Sequence, residues 1–367
     1  MRKRIILLSL ILSLLCGCGG SPSVAQEDKL TIVATTYPIY VFTCALTEGV
    51  EGVEVERLST GSVSCLHDYT LSMTDMKKLD KADVIAMNGA ELESFMEDAL
   101  ATSDAAVIDC SHGIQLLENL SHHHVEEDAH VHSEEEKHLH GEDEVHDHVD
   151  EDEVHDHVDE DEHVHEDEHD HEEEAAILDD HGHDHGHWDP HYWMHPMYGD
   201  YMISHLRETL CKLDPEHEQL YNENAGNAAN QLGCLDTELT NMFGMLKERG
   251  VEIPGLITFH DGFQYFAWAY DLPLLESIEE EAGSEASAKE IVEITALVKE
   301  HNIPVIFTEV NGSDATAAAI SRETGCQVAQ LSMCMDGPDG ALTNYLNTMR
   351  ANAKAIVNGF AEEEIIP

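Results

Sequence analysis

Positive charge is what this chain has least of. Its 18 lysines and arginines face 75 aspartates and glutamates, for a formal net charge of -57 over 367 residues. Such a chain repels phosphate backbones and anionic lipid headgroups, which excludes nucleic acid as a partner. Long apolar runs are also missing. Beyond the N-terminus no segment is long and apolar enough to cross a bilayer. The nine cysteines include no CxxC pair, so a thiolate zinc knuckle is not supported. The one HExxH string, His165–His169, falls inside the acidic histidine-rich stretch rather than on an amphipathic helical pattern, and a zinc hydrolase has no evident base beyond Asp261 and Glu309.

What is present begins with Arg2-Lys3-Arg4, an apolar run from Ile5 to Leu15, and then Leu15-Cys16-Gly17-Cys18. A basic start, a short apolar stretch and small residues describe a secretory signal. Leu15-x-Gly17-Cys18 resembles a bacterial lipobox, which implies cleavage before Cys18 and acylation of its thiol. The glycine- and serine-rich stretch that follows reads as a flexible tether. Seven cysteines remain after Cys18, scattered, and an odd number leaves at least one free thiol.

Between Ser121 and His187 the chain holds nineteen of its 27 histidines among 29 acidic residues, with Lys137 as the one basic residue. Glu142–Asp150 repeats as Glu151–Asp159. Like charge and low hydrophobicity cannot build a core, so disorder without metal is expected here. Imidazole suits zinc, copper and nickel, and carboxylates add weaker oxygen ligands. His146, His148, His155, His157, His163, His165, His181, His183 and His185 are candidate weak sites. The bland alternative is a solvated acidic linker expanded by repeat slippage.

Either side of this segment, short β-rich runs alternate with helical stretches, the pattern of βαβ units and parallel sheet. Strands are expected at Leu30–Thr35, Val53–Leu58, Val84–Met87 and Ala105–Asp109, then at Gly255–Phe259, Pro273–Ser277, Pro304–Thr308 and Gln327–Leu331. Helices are expected at Pro38–Leu46, Ser72–Lys81, Glu91–Ala101, Pro196–Lys212, Phe263–Tyr270, Ala288–His301, Asp314–Thr324 and Ala341–Asn358. Glu216–Arg249 reads as one long helix. The fold class is therefore α/β: two lobes, each with a parallel four-stranded sheet flanked by helices, joined by a long helix. The expected divisions are a signal at 1–17, a tether at 18–29, an N-terminal lobe at 30–214 interrupted by a loop at 118–187, the helix at 215–249 and a C-terminal lobe at 250–367. Two such lobes facing each other create a cleft at the carboxyl ends of their strands.

Outside the acidic segment, His205, His217 and His301 sit in polar helical surroundings and read as surface residues. His195 reads as a surface cap. His112 follows a strand end and stays open as a ligand. His67, His191 and His260 each lie at a break beside the expected cleft, where three histidines point to a metal.

These residues carry a resemblance. Leu66-His67-Asp68-Tyr69, Asn88-Gly89 with Glu91, Asp189-Pro190-His191-Tyr192-Trp193, His260-Asp261-Gly262-Phe263-Gln264-Tyr265 and Phe307-Thr308-Glu309 resemble the zinc-type metal-binding lipoproteins of ABC importers (cluster A-I, or cluster 9), a periplasmic-binding-protein-like family. The resemblance implies His67, His191 and His260 as metal ligands, an ABC permease as partner, a monomer on a lipid anchor, and binding without turnover. The fourth position stays open between water, Asp336, Cys334 and a loop histidine, His187 included; Glu309 reads as a supporting residue. Three neutral imidazoles favour Zn2+ at four-coordinate geometry. Mn2+ prefers oxygen ligands, whereas Ni2+ and Cu2+ must be excluded by geometry and supply. The rival reading is a storage or buffering protein in which the histidine-rich loop is the working part.

Overall fold

The computed structural model describes residues 29–59, 69–119, 187–279, 286–310 and 315–367. Strands β1 (Leu30–Ala34), β2 (Val53–Arg57), β3 (Val84–Met87) and β4 (Ala106–Asp109) form a parallel sheet in the order β2-β1-β3-β4. Strands β5 (Leu256–His260), β6 (Leu274–Glu279), β7 (Val305–Glu309) and β8 (Gln327–Leu331) repeat the arrangement as β6-β5-β7-β8.

Alternation along each strand explains the layering. Ile32 and Ala34 point into the central core, while Val33 points the other way, onto Leu58, Leu79, Ile85 and Met96. In the second sheet Val305 and Phe307 enter the central core, and Ile306 joins Ile257, Ile294 and Ile320 on the outer face. Successive side chains leave a strand on opposite faces, so a continuous apolar run requires cover on both sides.

The helix Glu218–Glu248 runs 31 residues, about 46 Å at 1.5 Å per residue. Its buried stripe, Tyr221, Ala225, Ala228, Leu232, Leu235, Leu239, Phe243 and Leu246, follows the three-to-four spacing of one helix face. That stripe belongs to a single core cluster that also draws on both sheets. Helix starts are marked by complete capping boxes at Ser72–Asp75 and Ser287–Glu290.

One stretch departs from expectation. Glu91–Ala101 is not one helix but a turn, a 3-10 turn at Ser94–Met96 and a short helix at Glu97–Ala101. Gly89, Ala90 and Glu91 have φ of +80°, +52° and +66°, which no right-handed helix allows. The cause is Glu93, which turns inward and accepts hydrogen bonds from Asn88 N (2.7 Å), Gly89 N (2.9 Å) and Thr35 Oγ1 (2.6 Å). Only glycine fits at position 89, because a Cβ there would stand 1.9 Å from Asp109 Oδ1.

Candidate metal centre

In both sheets the chain turns outward to one edge and then crosses back, so the crevice lies between β1 and β3 in one lobe and between β5 and β7 in the other. Glu93 fills the first crevice, tying Thr35 after β1 to Asn88 after β3. The second crevice carries His260, the last residue of β5, and Glu309, the last of β7, which the pairing Thr258↔Phe307 brings side by side. Both are buried.

His191 comes to this place from the turn ahead of the helix Pro196–Leu213. Its ring centroid is 5.3 Å from that of His260, with the planes at 85°. Both histidines are nearly sealed from solvent, 4% and 3% exposed. Two imidazoles on one tetrahedral zinc have centroids ~5.2 Å apart, given Zn–N near ~2.0–2.1 Å and ~1.1 Å more to the ring centre. The pair is thus spaced to share one such ion.

Asp189 aims the first ring. Its Oδ1 accepts from His191 N and lies 2.8 Å from His191 Nδ1. A buried carboxylate there holds the proton on Nδ1 and leaves the Nε2 lone pair for a ligand bond. The turn itself is braced from several directions. Asn88 Nδ2 donates to Pro190 O (3.0 Å), Tyr265 OH to Asp189 O (2.9 Å), and Tyr192 OH to Asn88 O (2.5 Å). Trp193 Nε1 crosses to Met333 O (2.9 Å), and Tyr345 OH donates to Trp193 O (2.6 Å). Gly262 lies so close under Met333 that a Cβ would meet Met333 Cε at 2.1 Å.

His67, Cys18 and the histidines His146, His148, His155, His157, His163, His165, His181, His183 and His185 lie outside the described residues. Among the described residues no group of three or more His, Cys, Asp or Glu is placed to hold a metal. The residues that flank His67 in the chain are fixed by the fully buried Asp75, which accepts from Ser59 N (2.8 Å), Tyr69 OH (2.6 Å), Ser72 N (3.0 Å) and Ser72 Oγ (2.5 Å). Burial alone would raise this carboxyl, but the four donors outweigh it and hold it well below the usual range.

Asp336 is half exposed and faces Arg57 at 2.9 Å, whose guanidinium lies over Tyr37 and Tyr40. Cys334 is buried, and burial pushes its thiol up to about 12, away from the thiolate that ligates metals. His187 is exposed, with its ring 4.5 Å from that of Trp188 and its Nε2 3.8 Å from Glu118. His195 caps the helix Pro196–Leu213 by accepting from Met197 N, and it is half-buried rather than superficial; burial lowers its pKa. Sequence reasoning missed Glu93 and the Arg57 pairing. The Asn88-Gly89 break just before an apolar stretch was the available signal for the first; nothing local signalled the second.

The two sheets, the long helix and a buried imidazole pair, His260 at the end of β5 and His191 in the turn before Tyr192–Met194, define a two-lobed α/β binding protein of the periplasmic type. The family profile of ZnuA, "Zinc-uptake complex component A periplasmic", matches residues 32–359, and the chain belongs to that family. It is 25% identical over 384 residues to the zinc-binding protein AdcA of Streptococcus pyogenes, covering all of this chain and 64% of that protein. It is 25% identical over 363 residues to the zinc-binding lipoprotein AdcA of Streptococcus pneumoniae, covering 95% and 60% respectively. The chain therefore spans somewhat under two thirds of these relatives. The crystal structure of ZnuA superposes with a TM-score of 0.63 at 21% identity, covering 91% of this chain and all of the other, which establishes the shared fold.

Proposed function

We propose that this chain is an extracytoplasmic receptor, lipid-anchored at Cys18 and monomeric, that captures Zn2+ between its lobes and passes it to an ABC permease. The observation that carries the reading is the buried His191–His260 pair, drawn from the two lobes and spaced for one tetrahedral ion. His67 supplies the third imidazole, and water or a loop histidine the fourth position; Glu309 supports the site beside His260. Family membership and the zinc-binding relatives favour zinc over Mn2+, Ni2+ or Cu2+. Among the described residues no helix is long and apolar enough to cross a membrane, and the pneumococcal relative is named a lipoprotein; both accord with an anchor at the N-terminus.

Binding is ligand exchange, with no substrate bond made or broken. The histidine-rich segment of 118–187 gathers or senses zinc. Its two ends are stitched together by the Glu118↔Trp188 bridge and by Asn119 N donating to His187 O, and Asp189 follows directly. A segment tethered there raises the local metal concentration near His191. A buffering role would make those loop sites the main capacity, and stoichiometry separates the two. Excision of 121–185 leaves the stitched ends in place. Competitive titration should then show one tight zinc site, lost in His67→Ala, His191→Ala and His260→Ala. Loss of the tight site on excision alone would overturn the receptor reading.

A further inference from the structure

A second pair of imidazoles uses none of the cleft residues. His112 is exposed in the turn after β4, and its ring faces His205 on the helix Pro196–Leu213 with centroids 6.2 Å apart and planes at 87°. His205 Nδ1 lies 3.1 Å from the Tyr201 carbonyl oxygen. A carbonyl accepts but cannot donate, so the proton sits on Nδ1 and Nε2 keeps its lone pair. This is the arrangement that second partners commonly impose on metal-bound histidines. The spacing exceeds that of two rings on one tetrahedral zinc by about 1 Å, a gap that a small side-chain adjustment at the exposed turn closes.

We propose that His112 and His205 form a surface metal site for a borderline divalent cation, Zn2+ in the first instance, with water completing the coordination. Two imidazoles and no fixed carboxylate make a site of faster exchange than a buried three-histidine one. The strongly negative chain concentrates cations around it. His112 precedes by six residues the Glu118 at which the histidine-rich segment departs, so the site stands near that segment's root. It stands or falls independently of the cleft, whose ligands it does not share.

The test is residue-resolved. The full chain is treated with diethylpyrocarbonate across a Zn2+ titration, and modification of His112 and His205 is read separately by peptide mass spectrometry. Modification follows the metal-free fraction, so at zinc near ten times the site's Kd both rates should fall about elevenfold. The two residues should share one midpoint, and a chelator should restore both rates. In His112→Ala the protection of His205 should vanish, and in His205→Ala that of His112. Circular dichroism verifies that each variant is folded. Absence of protection, separate midpoints, or protection that survives loss of the partner would each overturn the proposal.

Discussion

Asp189→Asn isolates the aiming of His191 from its ligation. Asp189 is 3% exposed, and its Oδ1 takes both the backbone N–H and the ring Nδ1 of His191 at 2.8 Å. Asparagine preserves shape and can still accept through its carbonyl oxygen, but it removes the charge. A charge-assisted bond contributes about 1.5–3 kcal/mol against about 1 for a neutral one. Partners of metal-bound histidines typically account for 10–100-fold in affinity when changed, about 1.4–2.7 kcal/mol. We expect zinc affinity to drop about thirtyfold. The other carboxylate oxygen, Oδ2, is buried with no hydrogen-bond partner among the described residues. An amide NH2 placed there would add an unsatisfied donor and lower stability by about 1–3 kcal/mol, so the melting temperature is measured in parallel. The assay is competition with a chelator of known affinity in the variant lacking 121–185, where one tight site remains. A change under twofold in a folded variant would refute the reasoning. A loss as large as that of His191→Ala would instead make Asp189 a ligand.

Two further outcomes follow from buried and paired carboxyls. Burial raises the Glu93 carboxyl from 4.5 to about 7, against the pull of its three donors. A raised folded-state pKa means the contribution is intact below about pH 4.5 and is lost as pH rises through 7, by up to about 3 kcal/mol. The stability deficit of Glu93→Gln should therefore shrink between pH 5 and pH 8; melting curves of variant and wild type that run parallel over that range contradict it. Asp336→Asn removes a half-exposed ion pair with Arg57, an interaction of about 1 kcal/mol or less, so zinc affinity should change by less than about fivefold. A hundredfold loss in the same competition assay would place Asp336 among the ligands.

The parts of this molecule that could be read from the sequence are those in which a residue's role is set by near neighbours. Each expected strand is present to within two residues because β-branched apolar runs such as Leu30–Ala34 and Val305–Glu309 need cover on both faces. The helix Ala288–His301 begins where Ser287 and Glu290 form their reciprocal cap. The expected helix at Glu91–Ala101 fails because Glu93 turns inward to partners, Thr35 and Asn88, that belong to two other segments. The same limit governs the site. Asp189-Pro190-His191-Tyr192-Trp193 is recognisable as a unit, yet its members answer to distant groups in three other segments. Asp189 O accepts from Tyr265, Pro190 O from Asn88, Tyr192 donates to Asn88, and Trp193 donates to Met333 across the cleft. A motif of this kind persists as a string because all of its bonds must be satisfied together. The bonds themselves follow from chain topology, which brings β3, β5 and the segment after β8 around one turn. The pairing of Asp336 with Arg57 shows the converse. The resemblance leaves Asp336 open as a fourth ligand, and only the fold shows that this carboxylate faces a guanidinium held over Tyr37 and Tyr40.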